Sequence, residues 1–303
     1  MRLLFALVTI LLVAATTISA YHSYSRSPAV TPQHDIKTVV TLSPSVTEVM
    51  YFLDEWDKVA AVSRYSEFPP EVADKPKLSG IQDINYEAVV AMAPDLVILS
   101  DMQHEGELRL RSLGLNTLLV YQHTFDNVLE SIRIIGEAVG AEERAELLVD
   151  ELSAYVAGIA DTVKGYERRS VIFVMSREVG SGSVNNLVAA GSDGYYSRIL
   201  ELLNADNPFE GNIAYSTVSK EGIYDVNPDV VIELVYSPEL EQNSKDEWMT
   251  SMSQISALHH GRVCTISDSY GYVPGPRFPL LVDAVARSIY PESLSPPESL
   301  LKR

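Results

Sequence analysis

The sequence contains a single cysteine in 303 residues, Cys264, and this scarcity excludes several kinds of site. One cysteine forms no intramolecular disulfide and no Cys-x-x-Cys metal site. No cysteine lies near the N-terminus, so we expect no lipid-modified cysteine to tether the mature protein. Cys264 lies in the apolar run 262–266, which predicts a buried core thiol rather than a reactive one.

Positive charge is also scarce. The chain has 23 lysines and arginines against 41 aspartates and glutamates, and its formal net charge at pH 7 is −18. Nucleic acids and anionic lipid surfaces attract basic proteins, so we expect neither as a partner. The acidic residues are spread along the chain, which indicates a well-solvated surface, and we expect a monomer.

Long apolar runs are confined to the N-terminus. After Arg2, residues 3–15 are predominantly apolar, and Ser19 and Ala20 are small residues suited to a cleavage position. This run is too short to span a bilayer comfortably, which takes about 20 residues. We therefore predict a signal peptide over residues 1–20, cleaved near Ala20, with an uncleaved anchor as the alternative. Residues 21–37 show no periodicity and are predicted to form a flexible tether.

From residue 38 onward, short apolar strands alternate with helical segments. The predicted strands of the first half are 38–42, 59–62, 95–99 and 116–121. Ser45 and Glu48 follow the first strand with the spacing of a capping box, which predicts that a helix begins there. Such alternation favours a parallel sheet covered on both faces, so we predict an N-terminal α/β lobe over residues 38–140.

A long helical run follows this lobe. Apolar residues recur at steps of three and four from about 141 to 163, at Leu148, Leu152, Tyr155, Ile159 and Val163. This pattern predicts one helix about 35 Å long. Strand–helix alternation then restarts, so we assign residues 141–166 to a connecting helix and 167–303 to a C-terminal α/β lobe. The predicted fold class is α/β, with two doubly covered parallel-sheet lobes joined by one long helix.

Two glutamates occupy equivalent places in the two halves. Glu87 precedes a Pro-Asp pair and an apolar strand by seven residues, and Glu221 precedes a second such pair by the same distance. The equal spacing indicates a paired role. The alternative is that two α/β lobes reuse a common helix–turn–strand joint.

Six short motifs carry a resemblance to a known family. They are LSPSVTE at 42–48, YSEFPP at 65–70, NYE at 85–87, APDLVI at 93–98, VSKE at 218–221 and GPR at 275–277. In this order, they resemble the periplasmic binding proteins for vitamin B12 and iron-siderophore complexes, over essentially all of residues 38–290. The resemblance implies a bilobal fold with a helical backbone and limited hinge motion.

The same resemblance implies a function. It implies a periplasmic protein that captures cobalamin, a ferric siderophore or haem and delivers it to an ABC permease dimer with its ATPase. Glu87 and Glu221 match the positions where this family places one glutamate per lobe against permease arginines. The alternative for both is an exposed carboxylate that favours the helix dipole. Tyr65 and Asp268 match cleft positions of the family.

In α/β lobes, ligands bind beyond the carboxyl ends of the parallel strands. These predicted ends are rich in tyrosine, Tyr272 included, and rings with a polar tip suit a large, partly apolar chelate. The candidate ligand-binding residues are Tyr65, Tyr121, Arg177, Tyr215, Tyr236, Asp268, Tyr270 and Arg277. Arg64, Arg177 and Arg277 either contact an anionic chelate or form structural ion pairs, and the sequence leaves both open.

Two other functions compete with this one. A bare divalent-metal binding protein of related architecture needs three or four His and carboxylate ligands, and His104, His123 and Asp268 are the candidates. An exported α/β enzyme needs a reactive loop, and the candidate is Gly-Ser-Gly-Ser at 180–183. That segment lacks the lysine of a P-loop and the frame of a nucleophile elbow. We therefore predict a flexible loop there, no enzymatic activity, no cofactor and no resident metal.

Overall fold

The structure, a computed structural model, describes residues 36–80, 83–191, 194–209 and 214–291. The predicted signal peptide and most of the predicted tether lie outside these ranges. Within them the strands are β1 Val39–Thr41, β2 Val59–Ser63, β3 Lys77–Ser79, β4 Leu96–Ser100, β5 Thr117–Val120, β6 Arg169–Ser176, β7 Leu187–Ala190, β8 Ala205–Asp206, β9 Tyr215–Val218, β10 Val230–Leu234 and β11 Val263–Ile266.

The α-helices cover both sheets and connect the strands. They are α1 Pro44–Phe52, α2 Tyr86–Met92, α3 His104–Ser112, α4 Phe125–Val139, α5 Glu142–Val163, α6 Tyr195–Leu202, α7 Lys220–Val226, α8 Glu241–Ser251, α9 Ser256–His259 and α10 Phe278–Ile289. None of the helices in the described ranges is both long and apolar enough to cross a membrane.

The first lobe, here called the N-lobe, is built on a five-stranded sheet with the order β3-β2-β1-β4-β5. Its neighbouring strands all pair in parallel. Parallel sheets are covered on both faces, and strand β4 agrees with this rule: its residues Leu96, Val97, Ile98 and Leu99 are all completely buried. The parallel sheet predicted for this lobe is confirmed.

The second lobe, here called the C-lobe, has the order β11-β10-β6-β7-β9, with β8 paired to β6. Strands β11, β10 and β6 are parallel, but β7 is antiparallel to both β6 and β9. The second sheet is therefore mixed, where the sequence predicted a parallel one. The reason is the connection after β6: residues 177–186 contain no helix, and a parallel crossover needs a dozen residues or more.

Helix α5 joins the lobes. Its buried stripe contains the predicted Leu148, Leu152, Ile159 and Val163, and the helix packs against both α4 and α10. One continuous apolar cluster runs from N-lobe residues through this stripe to the buried face of α10. Cys264 differs from its prediction: it is only partly buried, because β11 is an edge strand of its sheet.

The repeat around the two glutamates is a structural repeat. Helices α2 and α7 begin after Asn85 and Ser219, whose side chains accept hydrogen bonds from the backbone of the first turn. Each helix leads to an aspartate that fastens the chain entering the central strand. Asp95 accepts hydrogen bonds from the backbone N–H groups of residues 37 and 38, and Asp229 accepts one from that of residue 170.

Candidate functional site

The carboxyl ends of the two sheets meet at the junction between the lobes. Helix α1, which follows β1, contacts the segment that leads into α10, because Arg277 Nη2 donates to Glu48 Oε1 at 2.6 Å. The guanidinium of Arg277 also lies 4.5 Å from the ring centroid of Phe68 in the N-lobe. Phe125 and Phe278 form a second inter-lobe contact, with ring centroids 4.6 Å apart. The edges at which the strand-end rule predicts a cleft therefore face each other across these contacts.

Glu48 lies at the centre of this junction, a position that the sequence did not predict for it. The capping box predicted for it is wrong: the helix begins at Pro44 after Ser43, with no side-chain cap, and the Glu48 carboxylate turns toward the other lobe. Burial raises the pKa of Glu48 to about 7, opposed by the hydrogen bond and charge of Arg277. Of the two roles left open for Arg277, the structure supports the ion pair.

Three buried polar atoms at this junction have no hydrogen-bond partner among the described residues. They are Glu48 Oε2, Arg277 Nε and the hydroxyl of Tyr195. Burial, followed by the charge of Glu48, raises the pKa of that hydroxyl. The space is tight, since a Cβ on Gly275 would lie 2.9 Å from Glu48 Oε2. Glycine in the GPR motif therefore permits the close approach of the two lobes.

The N-lobe side of the cleft carries a buried network of hydroxyl groups, here called the hydroxyl network. Thr47 Oγ1 lies 2.8 Å from Thr41 Oγ1 and 2.9 Å from Ser66 Oγ. Ser45 lies 2.9 Å from Ser43 and donates to the side-chain oxygen of Gln122. These side chains form hydrogen bonds with one another, so they stabilise the N-lobe side of the cleft and leave few polar groups free for a ligand.

The C-lobe side carries aromatic rings, here called the tyrosine rim. Tyr236 and Tyr272 pack with ring centroids 5.6 Å apart, and Tyr215 and Tyr236 are 54% and 66% exposed. Burial, together with the charge of and a hydrogen bond to Asp268, raises the pKa of the neighbouring Tyr270 to about 12. The structure thus brings four predicted site residues to one edge: Tyr215, Tyr236, Asp268 and Tyr270.

Tyr196 also belongs to the tyrosine rim, and Tyr272 connects the rim to the N-lobe. Tyr196, which the sequence analysis missed, donates its hydroxyl to the carbonyl of Gly271 at 3.0 Å. Burial raises its pKa, with added contributions from Tyr215 and Tyr236, so these three side chains lie close together. Tyr272 faces the N-lobe: its pKa is raised by burial and then by the negative charge of Glu67. Tyr196 is buried on a helix, so no strand-end rule could have found it.

Arg177 lies away from this rim. Its side chain is completely buried, with Nε 2.8 Å from Glu233 Oε1 and Nη1 2.5 Å from Glu247 Oε2. Trp248 donates its indole N–H to the same Glu233 at 2.6 Å. The structure therefore supports the structural ion pair for Arg177 and gives no access for a ligand in this state.

The Gly-Ser loop is ordered by the same cluster. Glu247 Oε1 accepts backbone N–H hydrogen bonds from Gly180 at 2.9 Å and from Gly182 at 2.6 Å. Both glycines have positive φ, 94° and 81°, which only glycine adopts without strain. The loop therefore cradles a carboxylate of its own chain where the enzyme alternative required a phosphate.

The remaining predicted residues lie on the N-lobe. Tyr65, after β2, is 52% exposed. Tyr121, after β5, is partly buried and packs against the N-lobe core cluster that contains Leu119. Arg64 pairs with Asp83 at 3.1 Å on the surface, and both side chains are more than half exposed.

The bare-metal alternative finds little support in the described ranges. They contain no group of three or more His, Cys, Asp or Glu side chains arranged to hold a metal ion. Of the candidates, His123 pairs its Nε2 with Asp101 Oδ2, and Asp268 bonds to Tyr270.

Glu87 and Glu221 are exposed, each at the second position of its helix. The backbone N–H of its own residue and the Ser219 hydroxyl lower the pKa of Glu221. Helix α2 begins beside the carboxyl end of β3, through the bridge between Ser79 and Ile84. Helix α7 begins directly after β9, which runs in the same direction as β6. Each glutamate therefore stands in the first turn of a helix that follows the carboxyl end of a strand of its own sheet.

Two α/β lobes on a long helix, with the carboxyl ends of their strands facing each other, define the fold of bilobal solute-binding proteins with a helical backbone. The chain belongs to the periplasmic binding protein family, whose profile matches residues 39–270. The predicted family and fold class are thereby confirmed.

Individual relatives agree with this assignment. The chain is 30% identical over 272 residues to the uncharacterized ABC transporter substrate-binding lipoprotein YvrC of Bacillus subtilis, covering 87% of this chain and 83% of the relative. It is 28% identical over 270 residues to a cobalamin-binding protein of Halobacterium salinarum, covering 86% and 70%. A possible iron-binding (periplasmic solute-binding) protein of Staphylococcus epidermidis superposes with a TM-score of 0.73 at 25% identity, covering 84% of this chain and 99% of that one.

Proposed function

We propose that the protein captures a metal chelate, either cobalamin, haem or a ferric siderophore, in the cleft between its lobes and delivers it to an ABC permease dimer with its ATPase. The observation that carries this proposal is the tyrosine rim. Tyr215 and Tyr236 expose more than half of their surface at the edge that faces the other lobe. Exposed rings with polar tips suit a large, partly apolar ligand that must later be released.

The relatives support this class of ligand. One is named as a cobalamin-binding protein and another as a possible iron-binding protein. Cobalamin itself is a bulky organic chelate around a metal ion. A small ion alone would require a cluster of protein ligands, and the described ranges hold none.

Delivery to a permease is the second part of the proposal. Glu87 and Glu221 are exposed, one per lobe, and each stands in the first turn of a helix that follows a strand of its own sheet. Two separated carboxylates offer a two-point negative contact, which sets the register of docking more than its strength. Permease arginines are the matching partner chemistry.

Calorimetric titration of the purified protein against cyanocobalamin, haemin and a ferric siderophore tests the ligand class. We expect saturable one-to-one binding of one of these chelates. Replacing both Tyr236 and Tyr272 with alanine should weaken that binding by about tenfold or more. Tyr166→Ala is the matched control, because Tyr166 is an exposed tyrosine just before β6, at the opposite edge of the sheet. Binding of none of the three chelates contradicts the proposal.

A further inference from the structure

His123 is a polar side chain of the cleft that the proposed function does not yet use. It follows β5, and Asp101 follows β4; the two strands are parallel neighbours, with Ser100 opposite Val120 at their carboxyl ends. The imidazole Nε2 contacts Asp101 Oδ2. The His123 side chain is 66% exposed, whereas that of Asp101 is only 13% exposed. A largely buried carboxylate therefore orients an exposed imidazole.

The position of His123 is at the lobe junction. A Cβ on Gly194 of the C-lobe would lie 4.0 Å from the His123 carbonyl oxygen. Two residues further along, Phe125 packs on Phe278 of the C-lobe. His123 is therefore on the N-lobe side of the same cleft whose other side is the tyrosine rim.

The contact with Asp101 determines which ring nitrogen is available. A carboxylate accepts a hydrogen bond, so Nε2 carries a proton, and in the neutral imidazole Nδ1 keeps its lone pair. Nδ1 has no hydrogen-bond partner among the described residues. A carboxylate on one ring nitrogen also makes the other nitrogen a stronger metal ligand, as in carboxylate–histidine–metal arrangements.

One nitrogen is too little for a bare metal ion, which needs three or four protein ligands. It is sufficient for a chelate that already supplies the other ligands and leaves one axial position exchangeable. Imidazole nitrogen suits iron and other first-row transition metals in such a position. We infer that His123 Nδ1 coordinates the metal of the bound chelate from the N-lobe side, with Asp101 as its positioning residue. This inference rests on the proposed function and selects, within it, a tetrapyrrole with an open axial position.

Absorption spectroscopy on the full-length protein with haemin and with aquacobalamin tests the inference. We expect a nitrogen-ligated metal spectrum with at least one of these probes. His123→Ala should abolish that spectral signature, and Asp101→Ala should keep a histidine-ligated spectrum but weaken probe binding by about tenfold, the effect of losing an outer-shell partner. A ferric siderophore that fills all six coordination positions of the iron should bind to both variants as tightly as it binds to the wild type.

His104→Ala is the matched control, because His104 is an exposed histidine near the same strand end, three residues beyond Asp101. It should leave the spectra unchanged. A probe that binds with the same spectrum to the wild type and to His123→Ala overturns the inference and leaves the proposed function standing. Failure of all chelates to bind the wild type contradicts the proposed function itself, and the inference with it.

Discussion

The two sides of the cleft are built from different chemistry. The N-lobe side is a hydroxyl network in which Thr41, Thr47 and Ser66 bond to one another and are buried. The C-lobe side is a tyrosine rim whose Tyr215 and Tyr236 remain largely exposed. Satisfied, buried polar groups provide rigidity, whereas exposed rings provide contact surface. In the proposed function, the N-lobe side therefore supports the cleft and the C-lobe side makes most of the contact with solute.

One contact joins the two sides and should dominate stability. Arg277→Ala leaves Glu48 buried without its partner, and breaking such a pair costs about 3–5 kcal/mol. Urea unfolding at pH 8, where Glu48 is mostly ionised, measures this loss. Arg64→Ala is the matched control: it removes an ion pair whose two side chains are 60% and 65% exposed, so its effect should be at most about 1 kcal/mol. If both variants lost the same unfolding free energy, the Glu48–Arg277 pair would contribute no more to stability than a surface ion pair.

The pH dependence of stability should report the same carboxyl group. Burial raises the pKa of Glu48 from 4.5 to about 7, so the folded protein binds this proton more tightly than the unfolded chain does. Its contribution is fully present below pH about 4.5 and is lost as the pH rises to about 7, by up to about 3 kcal/mol. Glu48→Gln should remove this slope from a plot of unfolding free energy against pH. A slope that survives in Glu48→Gln belongs to another group.

Substitutions in the tyrosine rim should affect binding more than stability. Tyr236→Ala removes a ring that is 66% exposed, so the melting temperature should change little. Affinity for the chelate should fall by about tenfold, or about 1.4 kcal/mol. Ser66→Ala, in the hydroxyl network, should show the reverse pattern, with a loss of stability and nearly constant affinity. The opposite outcome for this pair would reverse the roles given to the two lobes.

Replacing Glu87 and Glu221 together should have the smallest effect on the isolated protein. Both are exposed, so the melting temperature and the affinity for chelate should stay nearly constant. Uptake by proteoliposomes that carry the cognate permease should fall sharply, because the two-point contact is lost.

Glu143→Ala combined with Asp161→Ala is the control for charge, since both residues are exposed on the connecting helix. This control should transport normally. If the double glutamate variant instead lost chelate binding, the two residues would belong to the cleft.

The sequence predicted those parts of the fold that local patterns determine. The four strands predicted for the first half correspond to β1, β2, β4 and β5, and the connecting helix follows its apolar stripe. Strands β7 and β9 were missed because their apolar signal is weak: β7 ends in two alanines, and the middle of β9 is Ser216 and Thr217. Their antiparallel pairing depends on a connection too short for a crossover.

The site was less predictable because its key contacts join distant residues. Glu48 shows the local spacing of a capping box, yet its partner lies 229 residues away. Arg177 ends a strand at the expected edge, but Glu233 and Glu247, at separations of 56 and 70 residues, hold it in the interior. Tyr236 follows the end of β10, where the strand-end rule expects a candidate, whereas Tyr215 begins β9 and does not follow from that rule.

The central claim, that the solute lies against the tyrosine rim, is tested most directly by a crystal structure with the chelate that calorimetry identifies. We expect the chelate between the lobes, in contact with Tyr236 and Tyr272 and with the hydroxyl network undisturbed. A chelate bound outside this cleft, or one that contacts the N-lobe alone, would contradict the account.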